Sequence, residues 1–304
     1  ELNRSQAIGH LAMLAFSVCV AGSFSLGALA ANEIAPVAMN AARFWLAAAM
    51  IGGAGLIMGG VSASSFRAPW RYVLLGGFFG CYFVTMFVAL KTASPINTSA
   101  LFTLVPVMSA GFGWLLLRQR LTRRMALALA IGALGAVWVI FRADLGAVVR
   151  LEIGRGEQIF FLGSISYALY APLSRRLHRG EATLAYTFWT MLFAAALVTL
   201  WGWEAVLATD WMHLPPIVWI TLTYIAVFAS AATLVLINIA IQRLPTAKVM
   251  AYTYLIPSWV ILWELALGAQ APPLLVSAGF GLTLVALGLL LRDDAPAPTP
   301  VPAG

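Results

Sequence analysis

The chain has 304 residues, 62% hydrophobic and only 10% charged, with 18 Lys and Arg against 11 Asp and Glu and a net charge of +7. Soluble domains carry roughly 25% charged residues, so these proportions exclude an ordinary soluble domain and make lipid the solvent. The positive balance does not describe a nucleic-acid surface, because the Arg residues sit in short connections between apolar runs, where membrane topology concentrates them.

A helix needs about 20 apolar residues to cross a bilayer. Ten runs come near or meet that length: 8–28, 36–58, 72–90, 96–117, 125–141, 158–177, 183–203, 216–239, 247–267 and 274–291. The first run has a second reading, since Arg4, an apolar stretch and Ala28-Leu29-Ala30 have the order of a secretory signal and its cleavage site. The Pro-rich residues 293–304 are expected to be disordered. Cys19 and Cys81 fall inside apolar runs, which predicts packed thiols. Alternate connections divide the basic residues unequally. One set holds Arg67, Arg71, Arg118, Arg120, Arg123, Arg124, Arg175, Arg176, Arg179 and Arg243, with Arg4 and Arg292 near the ends, and the other holds Lys91, Arg142, Arg150 and Arg155. The richer set predicts the cytoplasmic side, with both termini there.

Residues 89–122 align without a gap on residues 240–273. Ala89 meets Ala240, Leu104 meets Leu255, Pro106 meets Pro257 and Gln119 meets Gln270. The register makes two halves of five helices. An odd number per half means that the second half enters from the opposite side, so the repeats are inverted. Such a plan gives two similar mouths and suits a transporter that closes one while opening the other.

Several residues carry candidate chemistry. Phe78, Tyr82 and Thr85 share one face of the third helix, and Gly76 and Gly80 form a GxxxG packing motif on a neighbouring face. Tyr82 lies near mid-membrane, where its hydroxyl needs a helix partner or a wet cavity. Its repeat mate is Thr233. Ser17, Tyr167 and Tyr170 add polar groups from the first and sixth helices, Thr98 one from the fourth, and Tyr252 one from the ninth. Single hydroxyls often bond back to their own helix, and Trp and Tyr also form interfacial belts. Pro106 and Pro257 interrupt the fourth and ninth helices and are expected to kink them. Arg43 lies within the second helix and Glu264 within the ninth, and an ion pair between them near the outer mouth is one expectation. Lys248, the repeat mate of Asn97, has two readings, snorkelling to the interface or attracting a substrate carboxylate. His10, His178 and His213 fall at helix ends or in loops. No phosphate loop, nucleophile elbow or metal-spaced His cluster is present, so neither an enzyme nor a metal or cofactor protein is expected.

Two five-helix halves, each with a Pro inside its fourth helix, resemble the EamA family of the drug/metabolite transporter superfamily. The likeness runs from about residue 8 to 291 and rests on Pro36, Arg43, Ala89-Leu90, Pro106 and Pro257. The family pattern places Leu-Gly-Glu after the fourth helix of each half. Here those places read Leu117-Arg118-Gln119 and Leu267-Gly268-Ala269-Gln270. Within the family the aromatic lining most resembles YddG-type exporters of aromatic amino acids, and export is implied by that resemblance alone.

The expectation is thus an all-α integral membrane protein with ten transmembrane helices in two inverted repeats. Residues 1–142 form the first repeat, 143–157 an outer linker, 158–292 the second repeat and 293–304 a tail. It would export small amphipathic metabolites, aromatic or other neutral amino acids, by alternating access across a bacterial inner membrane. A drug or nucleotide-sugar carrier on the same fold, or a membrane enzyme acting on lipid, are the alternatives. The partners expected are a small-molecule substrate and the lipid bilayer, not nucleic acid, and uniport and proton antiport are both open.

Overall fold

The structure, a computed structural model, describes residues 4–58, 60, 63–150 and 153–292. The expected tail 293–304 and residues 151–152 of the expected linker lie outside that set. The described chain is helical, without strands. In order come α1 (Arg4–Ala30), α2 (Pro36–Ile57), α3 (Trp70–Ala89), α4 (Pro95–Phe102), α5 (Val105–Leu117), α6 (Arg123–Ile140) and the short α7 (Leu145–Arg150). Then follow α8 (Arg155–Leu177), α9 (Thr183–Trp201), α10 (Trp203–Ala208), α11 (Pro216–Ala226), α12 (Thr233–Ile241), α13 (Thr246–Ala251), α14 (Ile256–Ala266) and α15 (Leu274–Leu291).

Among the described residues nine spans, counting α4–α5, α11–α12 and α13–α14 as continuous, are long and apolar enough to cross a membrane. The 23-residue α8 is long enough but does not qualify on composition. Its hydropathy is lowered by Ser164, Ser166, Tyr167, Tyr170, Pro172 and Ser174, several of which prove to face protein rather than solvent.

Lipid tails are as apolar as leucine, so helices in a bilayer are held by close packing and interhelical hydrogen bonds rather than by escape from the solvent. Both devices are visible. The pairs α6–α15 and α2–α9 pack along their lengths, α3 packs on α8 and α9, and α1 packs on α11, α12 and α14. At the α6–α15 crossing, a Cβ on Gly135 would stand 2.6 Å from the Gly279 carbonyl oxygen, and one on Gly279 2.7 Å from that of Gly135. Each helix therefore needs glycine where the other's backbone passes. Gly76 does the same on α3, where a Cβ would meet the Ala194 backbone nitrogen at 2.6 Å, so the GxxxG pair is a packing motif for α9.

Hydrogen bonds fill gaps that proline opens. Pro172 lies inside α8 and offers no N–H to the Ala168 carbonyl. The Ser109 hydroxyl of α5 donates to that carbonyl at 2.6 Å, which ties the two helices together.

The fourth and ninth runs break at equivalent positions. α4 ends at Phe102 and α5 starts at Val105 with Pro106 in its first turn. The ninth run passes through a 3-10 turn, Tyr252–Leu255, before α14 starts at Ile256 with Pro257 in its first turn. At each break a threonine hydroxyl takes a carbonyl three residues back, Thr103 to Ala100 at 2.6 Å and Thr253 to Met250 at 2.7 Å. The places of the Leu-Gly-Glu pattern share a cap as well. Arg118 has φ of 52° and Gly268 has φ of 88°, so the glycine of that pattern serves a left-handed helix end.

The eighth run is interrupted by a feature without a sequence signal. Residues Val227–Ala232 form a π turn between α11 and α12. Such bulges leave a carbonyl out of the normal ladder and concentrate at functional sites.

Candidate functional site

Where α1, α3, α4 and α8 converge, aromatic rings fill the interior. The Tyr82 ring lies 4.6 Å from Tyr167, 5.3 Å from Phe102 and 5.7 Å from Phe160, centroid to centroid. Phe24 of α1 touches Phe102 and Phe160 at 6.0 Å. All five rings are buried. The Tyr82 hydroxyl is buried without a hydrogen-bond partner, an arrangement that carries a desolvation penalty unless something else meets it. Phe78, expected on this face, is only half-buried. Phe79 enters the core instead, against Phe44, Phe83 and Tyr170, because packing of α3 on both α8 and α9 turns a broader face inward. Thr85 bonds back to Cys81 and Tyr82 carbonyls at 2.8 Å.

Beside these rings stands Arg43, fully buried in α2. Its Nε donates to Ser230 Oγ at 2.8 Å, Nη2 to the Ala229 carbonyl at 3.0 Å, and Nη1 to Asn40 Oδ1 at 3.2 Å. Ala229 and Ser230 belong to the π turn, so the distorted backbone supplies the acceptors. Asn40 is oriented by donating its amide to the Pro36 and Phe83 carbonyls at 2.7 and 3.3 Å. The guanidinium carbon lies 4.1 Å from the Phe83 ring centroid, a cation–π contact. The expected pair with Glu264 is not formed. α2 is held against α3, α9 and the π turn, whereas α14 packs on α1 and α4, so bundle order separates two charges that chain position made plausible partners.

A second polar node is neutral. Asn238 of α12 accepts from Tyr170 at 3.1 Å and Ser174 at 3.3 Å, and donates to Thr187 at 3.0 Å. The Tyr186 hydroxyl donates to the Ser174 carbonyl at 2.8 Å. Tyr170 is thus satisfied by its neighbours.

A third group lies along α1. His10 shares a 3.0 Å hydrogen bond with the Tyr252 hydroxyl and lies within electrostatic reach of Lys248. Ser17 accepts from Trp259 at 3.3 Å while donating to Leu14 at 2.7 Å. His10 is therefore a residue of the α1 helix facing the ninth run, not a loop histidine. Lys248 is buried. Thr98 and Thr233 bond back to their own helices, to Ser94 at 2.9 Å and Ser230 at 3.4 Å. Glu264 is partly exposed. Cys81, expected to be packed, is exposed and borders an apolar groove of about 360 Å³ between α3 and α9, along with Gly80, Leu197 and Trp201. No cluster of metal-ligating side chains occurs among the described residues.

The sequence pattern of the EamA-like transporter family matches residues 7–141 and matches again at residues 154–292. The chain belongs to the EamA-like transporter family. It is 27% identical over 284 residues to an uncharacterized transporter, YyaM, of Bacillus subtilis (strain 168), covering 92% of each chain. A solved structure, described as the crystal structure of a protein, superposes with a TM-score of 0.71 at 21% identity, over 94% of this chain and 95% of its own. That second likeness speaks for the fold alone. This EamA-like protein is a multi-pass membrane transporter, with a small-molecule substrate and a lipid environment.

Sequence reading did not single out Asn40, Ser230, Asn238, Phe102 or Phe160. Asn40 and Asn238 carried a usable signal, since an amide within an apolar run must find partners inside the bundle. Ser230 carried none, because its role depends on the π turn.

Proposed function

We propose that the chain is a ten-helix secondary transporter with two inverted five-helix repeats, α8 being the tenth span. It exports aromatic or other neutral amino acids, as YddG-type members do, by alternating access. The observation that carries this reading is the buried aromatic cluster around Tyr82, which draws on α1, α3, α4 and α8, helices of both halves, and holds an unbonded hydroxyl. Aromatic walls suit an apolar side chain, and a few hydroxyls and a cation suit the ends of a zwitterion. The matched breaks at Pro106 and Pro257 support two equivalent flexing points. Residues 1–142 and 158–292 are the repeat units, joined by the outer linker 143–157, whose last three residues form the first turn of α8. The Arg-rich connections face the cytoplasm with both termini.

Ser17, Tyr82, Tyr167, Lys248 and Tyr252 remain the substrate-contact set, while Phe78, Thr98, Thr233 and Tyr170 contribute less directly, through half-burial, back-bonding and the Asn238 node. Flux of labelled L-phenylalanine in proteoliposomes tests the reading. Saturable flux that falls sharply in Tyr82→Leu, with expression and melting temperature retained, is expected. No flux above empty vesicles for any neutral amino acid would remove it. For orientation, a cysteine at Gly146 in a chain lacking Cys19 and Cys81 should react with an impermeant reagent on intact cells. Reaction only after lysis would reverse the topology.

A further inference from the structure

Arg43 is 0% exposed, sits about 10 Å along α2 from Pro36, and has only neutral acceptors. A guanidinium presents five N–H donors. Three reach acceptors, so two are left over. No carboxylate pairs with it among the described residues; α2, α3, α9, α11 and α12 contain no Asp or Glu, and the Glu204 of the short α10, which also packs on α2, is exposed. A charge taken out of water without a counter-ion is strongly penalised, and a transporter that keeps one has a use for it. Tyr82, whose hydroxyl has no partner, lies on the turn of α3 next to Phe83 and within electrostatic reach of the guanidinium.

We infer that Arg43 is the anchor for a carboxylate carried by the substrate, with the Ser230 hydroxyl and the Tyr82 hydroxyl as neighbouring donors and Phe83 bounding the apolar side. The inference rests on the transporter reading and adds the chemical class of ligand: a monocarboxylate with an apolar or aromatic body. The π turn makes the exchange feasible. Its Ser230 and Ala229 oxygens hold the guanidinium when no anion is bound, and neutral acceptors yield to an anionic one because charge-assisted bonds are the stronger. The competing role is a staple, in which Arg43 only pins α2 to the π turn.

Ligand-induced stabilisation separates the two without needing transport. Purified protein would be melted with 3-phenylpropionate, which lacks the ammonium, and with 2-phenylethylamine, which lacks the carboxylate. The expected result is a rise in melting temperature with the acid in the native chain, lost in Arg43→Gln and partly kept in Arg43→Lys. An equal acid effect in native and Arg43→Gln chains, or none in the native chain, overturns the anchor. Should Arg43→Gln not fold, Tyr82→Phe and Ser230→Ala serve. Each should weaken the acid by about tenfold while leaving the amine unchanged, and acid binding unaltered in both overturns the proposal. Flux keeps the two readings apart. Acid binding that requires Arg43 without any amino-acid flux removes amino-acid export and leaves the anchor. Equal L-phenylalanine flux in native and Arg43→Gln chains removes the anchor and leaves export.

Discussion

Arg43 and Arg71 are both 0% exposed, yet they are satisfied in different ways. Arg71 begins α3. Its Nη2 bonds Glu181 at 2.6 Å and the Arg67 carbonyl at 2.7 Å, its Nη1 the Leu177 carbonyl at 2.5 Å, and its Nε the Ala68 carbonyl at 3.3 Å. It joins α3 to the end of α8 and the turn before α9, with its charge neutralised on the spot. Arg43 lies well inside α2, has three neutral acceptors and an aromatic face, and has no carboxylate. Among the described residues the fold gives Arg71 a counter-ion and gives Arg43 none. A guanidinium left without one is a place where a counter-ion from outside can be recognised. The Asn238 node sharpens the contrast, since it is equally buried and central but neutral, with both its amide oxygen and its amide nitrogen hydrogen-bonded.

The contrast predicts a ranking of stability losses in thermal or denaturant unfolding of detergent-purified protein. Arg71→Met should be the most harmful, at about 2 kcal/mol, because it leaves the partly buried Glu181 without its cation and frees the Ala68, Arg67 and Leu177 carbonyls. A loss smaller than that of Arg43→Met would reverse the comparison. Next comes Asn238→Leu, at slightly less than that, since the Tyr170, Ser174 and Thr187 hydroxyls lose a shared partner. Its transport per folded molecule should fall far less than that of Tyr82→Leu, because Tyr170 contributes only through this node.

Arg43→Met should lose about 1 kcal/mol or less. Removing the charge relieves its desolvation while freeing three neutral acceptors, and the two effects oppose each other. A loss as large as that of Arg71→Met would mark Arg43 as a staple.

The smallest effect is on acid stability. Burial raises the Glu181 carboxyl, but hydrogen bonds from Arg71 and the Arg179 N–H, together with the Arg71 charge, outweigh it and hold the pKa below its usual value. A lowered carboxyl stabilises the folded chain above its unfolded pKa, and that contribution disappears as pH falls through the folded value. Melting temperature should therefore be level from neutrality down to about pH 5 and fall below about pH 4, less steeply in Glu181→Gln. An acid limb identical in the two proteins would assign the fall to other groups.

The kinks were readable in advance, because proline carries its backbone constraint wherever it sits. The breaks before Pro106 and Pro257 were therefore visible in the repeat itself. Tyr82 was also legible, as a phenol in an apolar run. Partner choice was not. Arg43 and Glu264 looked like mates by chain position, and only the order of helices in the bundle sends Arg43 to Ser230 instead. Phe78 and Phe79 differ by one position and about 100° around α3, and nothing local decides which ring turns inward.

By itself, then, the sequence determined the solvent, nine of the ten expected apolar spans and the places where two of them break. Each of these follows from composition or from the covalent geometry of single residues. Tertiary structure decided that Asn238 gathers Tyr170, Ser174 and Thr187, that the Tyr82 hydroxyl goes unbonded, and that a π turn presents Ala229 and Ser230 to Arg43. Hydrogen bonds across helices depend on rotation and depth to within an ångström, and those are fixed only when many weak packing contacts are satisfied together.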